Sequence, residues 1–137
     1  MTAFDTILPQ ALSNAEANVP AALQEHGFGV LTEIDVAATF KEKLGVERSP
    51  FKILGACNPG FAYRAILIDP SASLALPCDV VLEEVDGTTR VAIADPRALM
   101  TDLKLSELAG EVALRLEAVV ETLQSGRSGR PGATIPS

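Results

Sequence analysis

Asp86-Gly87 is the dipeptide that most narrows what this chain can become. Both residue types tolerate positive φ, which a two-residue hairpin turn of the right twist requires. The flanks, Cys78–Val85 and Thr88–Ala94, are rich in β-branched residues and read as strands. So short a turn also sets the register, because a slip by one residue would send every side chain to the wrong face. Val85 then faces Thr88, Glu83 faces Arg90 and Val81 faces Ala92. Opposite charges directly across a ladder favour that pairing. On the other face Val80 and Leu82 meet Ile93 and Val91, and this is the expected core face.

The rest of the chain alternates helical and extended patterns. Residues 4–8 form a short first strand. Ser13-Asn14-Ala15-Glu16 has the form of a capping box. Ala15, Val19, Ala22, Leu23 and His26 follow at helical spacing, so a helix over 14–26, kinked at Pro20, is expected. Gly27 suits the left-handed position after it, with Phe28 folding back on Leu23. Residues 28–34 read as a strand with Phe28, Val30, Thr32 and Ile34 on one face. Asp35 caps a short helix carrying Val36, Ala37, Phe40 and Leu44, closed by Gly45.

Residues 51–56 form the third strand, and its face of Phe51, Ile53 and Gly55 continues to Cys57. Asn58-Pro59 starts a helix, Pro59–Ile68, that Asp69-Pro70 ends. Asp95-Pro96 repeats the device before a short turn or helix. Leu105, Ala109, Val112, Leu116, Val119 and Leu123, widened by Leu108 and Val120, give an amphipathic helix over 106–124 that packs on the chain's own sheet. A single domain over 1–124 and a disordered tail over 125–137 are the expected organisation.

Composition removes several function classes. The 137 residues carry a net charge of −7, which argues against a nucleic-acid partner. No run approaches the roughly 18 apolar residues of a membrane span. No secretory signal is visible, and the cytoplasm is the expected location. The 2 cysteines are too few for a disulfide scaffold, and the single His26 excludes a multi-histidine metal site. No metal or cofactor is expected.

The chemistry concentrates where the third strand meets its helix. A thiol beside a helix start can have a depressed pKa, which makes Cys57 the candidate nucleophile. The same unpaired N–H groups, around Asn58, Gly60 and Phe61, can hold a carboxylate or phosphate, and Arg64 is a candidate ligand contact with Tyr63 beside it. Against both stands the plain reading, in which Asn58 satisfies those donors itself and Cys57 packs as a small apolar residue. Cys78 points to the core and reads as structural. Should the two sulfurs converge with Asp79 or Asp95, a soft-metal site is conceivable, but two thiolates alone make a weak zinc site. His26, Asp35 and Asp95 read as helix-end residues, without catalytic partners.

Four segments together resemble domain-of-unknown-function family 302. They are His26-Gly27-Phe28-Gly29-Val30-Leu31-Thr32-Glu33-Ile34-Asp35-Val36, Phe40-Lys41-Glu42-Lys43-Leu44-Gly45-Val46, Ile53-Leu54-Gly55-Ala56-Cys57-Asn58-Pro59 and Leu76-Pro77-Cys78-Asp79-Val80-Val81. The resemblance covers roughly residues 10 to 124. It implies a bacterial or archaeal α+β domain, commonly crystallised as a homodimer. The implied sheet is curved and mainly antiparallel, of about five strands backed by helices, similar to the TATA-binding-protein-like topology; that shape implies nothing about DNA binding. The chain departs from the family pattern at Pro20 and at Tyr63. Relatives often carry an Ala-His pair after the Asn-Pro step, so a role resting on that histidine does not carry over. The functional expectation is a homodimeric binding module with a small anionic ligand at the helix start after Cys57. A thiol enzyme or redox protein using Cys57, and a pure dimerisation protein, are the alternatives.

Overall fold

The Asp86-Gly87 turn forms with both residues at positive φ, 50° and 79°. Val85 pairs with Thr88, Glu83 with Arg90, Leu82 with Val91 and Val80 with Ile93, the register the sequence requires. In the computed structural model, which describes residues 3–126, this hairpin is the middle of a five-stranded sheet. The elements are β1 (Ala3–Leu8), α1 (Leu12–Glu25), β2 (Gly29–Asp35), α2 (Val36–Leu44), β3 (Phe51–Cys57), α3 (Pro59–Ile68), β4 (Cys78–Val85), β5 (Thr88–Ala94), α4 (Pro96–Leu99) and α5 (Ser106–Ser125). Short 3-10 segments, Pro70–Ala75 and Leu103–Leu105, precede β4 and α5. The strand order is β1-β5-β4-β3-β2, and every neighbouring pair is antiparallel. The fold class is α+β, as expected.

One face of the sheet is covered. Val80, Leu82, Val91 and Ile93 are fully buried beneath Val19 and Leu23 of α1 and Leu116 and Val119 of α5. Burying a side chain of this size contributes roughly 1.5–3 kcal/mol, so this layer dominates the fold's stability. The predicted stripe of α5 is the buried one, and the helix packs on its own chain. A second cluster, with Ala65, Ala72, Met100, Leu105 and Leu108, lies beneath α3; Phe61 and Leu76 touch both clusters.

α1 ends as expected. Phe28 N–H donates to Leu23 O at 2.9 Å and Gly27 N–H to Gln24 O at 3.1 Å, with Gly27 at φ 90°. That is the Schellman arrangement, and it buries Phe28. Its start differs from the sequence expectation. The Ser13 capping box does not form, and the helix begins at Leu12 after an N-cap, Ala11, with no side-chain cap. The Leu12 N–H donates instead to Glu84 Oε1 at 2.9 Å, so a carboxylate from the hairpin does the capping. The helix runs on through Pro20 without interruption.

β2 also departs from expectation. A bulge at Leu31 shifts the register: Val30 pairs with Ala56, but Thr32 pairs with Gly55. An extra residue reverses the alternation of faces, so Thr32 and Ile34 lie opposite to Val30 rather than beside it. Gly55 accommodates this. A Cβ there would sit 2.8 Å from Pro77 Cγ and against Thr32 Oγ1. Beyond β2, Asp35 Oδ1 accepts the Ala38 N–H at 2.9 Å and Gly45 closes α2 in the left-handed conformation. α5 extends to Ser125, and Gly126 caps it. Residues 127–137, most of the expected tail, lie outside the described residues.

Candidate functional site

β3 ends at Cys57 and α3 begins at Pro59, so Asn58 alone makes the corner. Its Oδ1 accepts the Phe61 N–H at 3.1 Å, and its carbonyl accepts the Ala62 N–H at 3.0 Å. Pro59 has no N–H. Among the described contacts this leaves Gly60 as the first-turn donor open to an outside acceptor. Gly60 itself is exposed.

Two guanidinium groups lie near the Phe61 ring. Arg64 lies 5.5 Å from the ring centroid and Arg115, from α5, lies 5.6 Å from it. Arg64 is also forked onto Glu111 of α5, at 3.1 and 3.3 Å. That pairing holds the Glu111 carboxyl below its ordinary range. Besides the Phe61 ring, Arg115 reaches the His26 carbonyl at 3.4 Å, and it makes no ion pair within 4 Å among the described residues, although its charge also acts on Glu111. Asn58 Nδ2 lies in the same corner, 3.0 Å from where a Cβ on Gly27 would be. The end of α1, the start of α3 and the middle of α5 therefore meet at one corner, where Arg64 and Arg115 both act on the Glu111 carboxylate. Arg115 had no local signal in the sequence; only helix packing brings it here.

Cys57 faces a different environment. It lines a small apolar cavity of about 10 Å³ with Phe28, Phe61, Leu76, Cys78 and Met100. That is room for about one water. The register pairs Cys78 with Ala56, so Cys57 sits diagonally from Cys78 and its side chain alternates to the other face of the sheet. Burial pushes the Cys57 thiol up. Burial first, then Cys57 and Asp79, push the Cys78 thiol up to about 11. This direction is opposite to the one a helix start would give a reactive thiol. At neutral pH both sulfurs stay protonated.

His26 donates to, or accepts from, Thr122 Oγ1 at 2.8 Å, which gives the buried Thr122 hydroxyl its partner. Asp35 and Asp95 both cap helices, and Asp95 is further held by Arg97. None of these forms a catalytic pair. On the far side of Leu76 and Met100 a groove of about 480 Å³ is lined by Asp69, Asp79 and Asp102. Two of its carboxylates cap 3-10 turns and face Lys104 at 3.8 Å, and none of the predicted site residues reaches it. Among the described residues no group of three or more His, Cys, Asp or Glu is placed to hold a metal ion, and no helix is long and apolar enough to cross a membrane.

No curated protein matches the chain. A solved structure, the uncharacterized conserved protein DUF302 from Bacillus stearothermophilus, is similar to it with 28% identity and a TM-score of 0.81, covering 90% of this chain and 98% of that one. The model of the family described as domain of unknown function DUF302 matches residues 4–123, nearly the whole folded region just described. The chain belongs to the DUF302 family.

Proposed function

We propose that this protein is a homodimeric binding module that holds a small anion at the start of α3. The observation that carries the reading is the meeting of Arg115 with the Phe61 ring and with the Asn58 side chain beside Gly27, near the start of α3, where Arg115 makes no ion pair within 4 Å among the described residues. A carboxylate or phosphate there would accept from Gly60 and from the Arg115 guanidinium, while Arg64 stays engaged with Glu111. The raised thiol of Cys57 lends little support to the thiol-enzyme alternative. The net charge of −7 speaks against nucleic acid, and the 2 free cysteines fit the reducing cytoplasm.

Titration with inorganic phosphate, followed by amide NMR, tests the site. The Gly60 resonance is expected to shift saturably, and Arg115→Gln to weaken the effect by about tenfold or more, as loss of a charge-assisted hydrogen bond would. A Gly60 resonance that ignores phosphate overturns the reading.

The dimeric part rests on β2 and α2. Every residue of β2 is exposed, α2 buries none of its residues, and β2 is an edge strand. Leu31 and Leu44 are 66% and 69% exposed, with Ile34, Phe40 and Val46 beside them. The charges among these residues are mixed, with Lys41 on Glu47 and Lys43 on Glu42, so a second copy meets no like-charged wall. Leu44→Asp is expected to sediment as a monomer where the parent is a dimer; a monomeric parent at micromolar concentration removes this part.

A further inference from the structure

α3 is apolar on both of its sides. Arg64 is the only charged residue of Pro59–Ile68. It is turned inward, forked onto Glu111 of α5, on the same side of the helix as the buried Ala65 and the core-packed Phe61. Spacings of three and four place Pro59, Tyr63, Ile66 and Leu67 together on the opposite side. All four are exposed, Tyr63 and Leu67 by 66% each. Leu74, 91% exposed, stands on the 3-10 segment packed against α3 and adds to this surface. A surface helix ordinarily turns polar residues outward, and a helix apolar all round is a buried one. Among the described residues nothing covers the outer side of α3.

We infer that a second copy of this chain covers it, with α3 lying antiparallel on α3 across a two-fold axis at Tyr63. The outer side is self-complementary in size. Pro59 and Gly60 stand four and three residues before Tyr63, and Leu67 and Ile66 stand four and three after it. An antiparallel pair sets the small end of each helix level with the large end of the other, the reciprocal contact that a two-fold axis requires. The surface is also free of charge. Two chains of net charge −7 repel over most of their surfaces, but here they meet with no like charges opposed. The same net charge opposes docking on an anionic bilayer. The two helix dipoles run in opposite directions, each positive start beside a negative end.

The exposed side chains amount to on the order of 500 Å², the upper range for the largest apolar patch of a monomer and more than half of the roughly 800 Å² that each partner of a standard interface buries. The contact uses the side of α3. It draws neither on the Gly60 N–H, which points along the helix axis, nor on the β2–α2 surface.

Tyr63 is the only tyrosine, and the chain has no tryptophan, so tyrosine emission reports on this surface alone. The test is a dilution series of the full-length protein followed by sedimentation velocity and by acrylamide quenching of that emission. Quenching is expected to rise as the copies separate. Leu67→Glu, at an exposed position, is expected to weaken association about tenfold or more while keeping the parent's circular dichroism, and Leu67→Met to associate as the parent does. Leu44→Asp separates this contact from the β2–α2 surface. If Leu44→Asp abolishes association and Leu67→Glu leaves it unchanged, or if quenching is equal in associated and separated protein, the α3 contact is overturned and the β2–α2 surface stands. The reverse pattern supports the α3 contact and removes the β2–α2 surface. A parent that is monomeric at micromolar concentration, or that floats as a monomer with phosphatidylcholine vesicles, also overturns the α3 contact.

Discussion

α5 and α2 reach helical structure by opposite routes. α5 has no side-chain cap at its start and buries nine of its residues, among them Leu108, Val112, Leu116 and Val119. α2 is capped at both ends, by Asp35 and by Gly45, and buries none. α1 follows α5: no side-chain cap from its own N-cap residue, and Val19, Ala22 and Leu23 fully buried. Short helices are marginal in water, so each needs either a face to bury or its ends satisfied locally. The half of the sheet under α1 and α5 is held by burial; the β2–α2 arm is held by the β2–β3 ladder and by the caps of α2, and presents its apolar residues outward.

The sharpest way to break this comparison is to remove the same side chain from each half. Leu116→Ala, which deletes a fully buried side chain facing the hairpin, is expected to cost about 2–5 kcal/mol in urea unfolding. Leu44→Ala, on the exposed helix, is expected to cost about 0.5 kcal/mol or less when measured at a concentration where the protein is monomeric. Equal costs would mean that α2 packs in solution in a way its exposed residues do not reveal.

A pH titration sharpens the comparison within the packed half. Cys78 has its ordinary value of 9.0 raised to about 11, mainly by burial. Above pH 9 the unfolded chain therefore sheds this proton before the folded one does, and unfolding becomes easier as pH rises. The stabilising preference is fully present below about 9.0, declines between there and about 11, and is spent above it. Its full size is of order 2–3 kcal/mol. Lys52 adds a smaller loss at still higher pH, because its hydrogen bond to Glu16 raises a cation's pKa and that contribution fades as the amine deprotonates. Cys78→Ala is expected to flatten the decline between pH 9 and 11, read from chemical denaturation at each pH. An unchanged slope would mean that the sulfur is far more open to water than its place under Leu76 indicates.

Elements defined by adjacent residues could be read from the chain alone. The hairpin register, the Gly27 ending of α1, both caps of α2 and the Asn58-Pro59 start of α3 each depend on residues within a few positions of one another, and each formed as expected. The start of α1 could not be read this way. Ser13-Asn14-Ala15-Glu16 offered a local cap, but Glu84, 72 positions away, supplies the acceptor at Leu12. The bulge at Leu31 was equally hidden, because it answers to the close approach of Thr32, Gly55 and Pro77.

The candidate sites divide along the same line. Asn58, Gly60, Phe61 and Arg64 were visible because a helix start is a local motif. Arg115 was not, since its place depends on where α5 lies against α3. By itself the sequence determined which segments are strands and helices, how the hairpin pairs and which stripe of α5 is apolar, because short-range sterics, hydrogen bonds and periodicity decide those. Only the tertiary structure decided that Arg115 stands over Phe61, that Cys57, Cys78 and Met100 share one cavity, and that β2 and α2 stay bare. Those outcomes depend on burial and on contacts between distant segments, which no local pattern encodes.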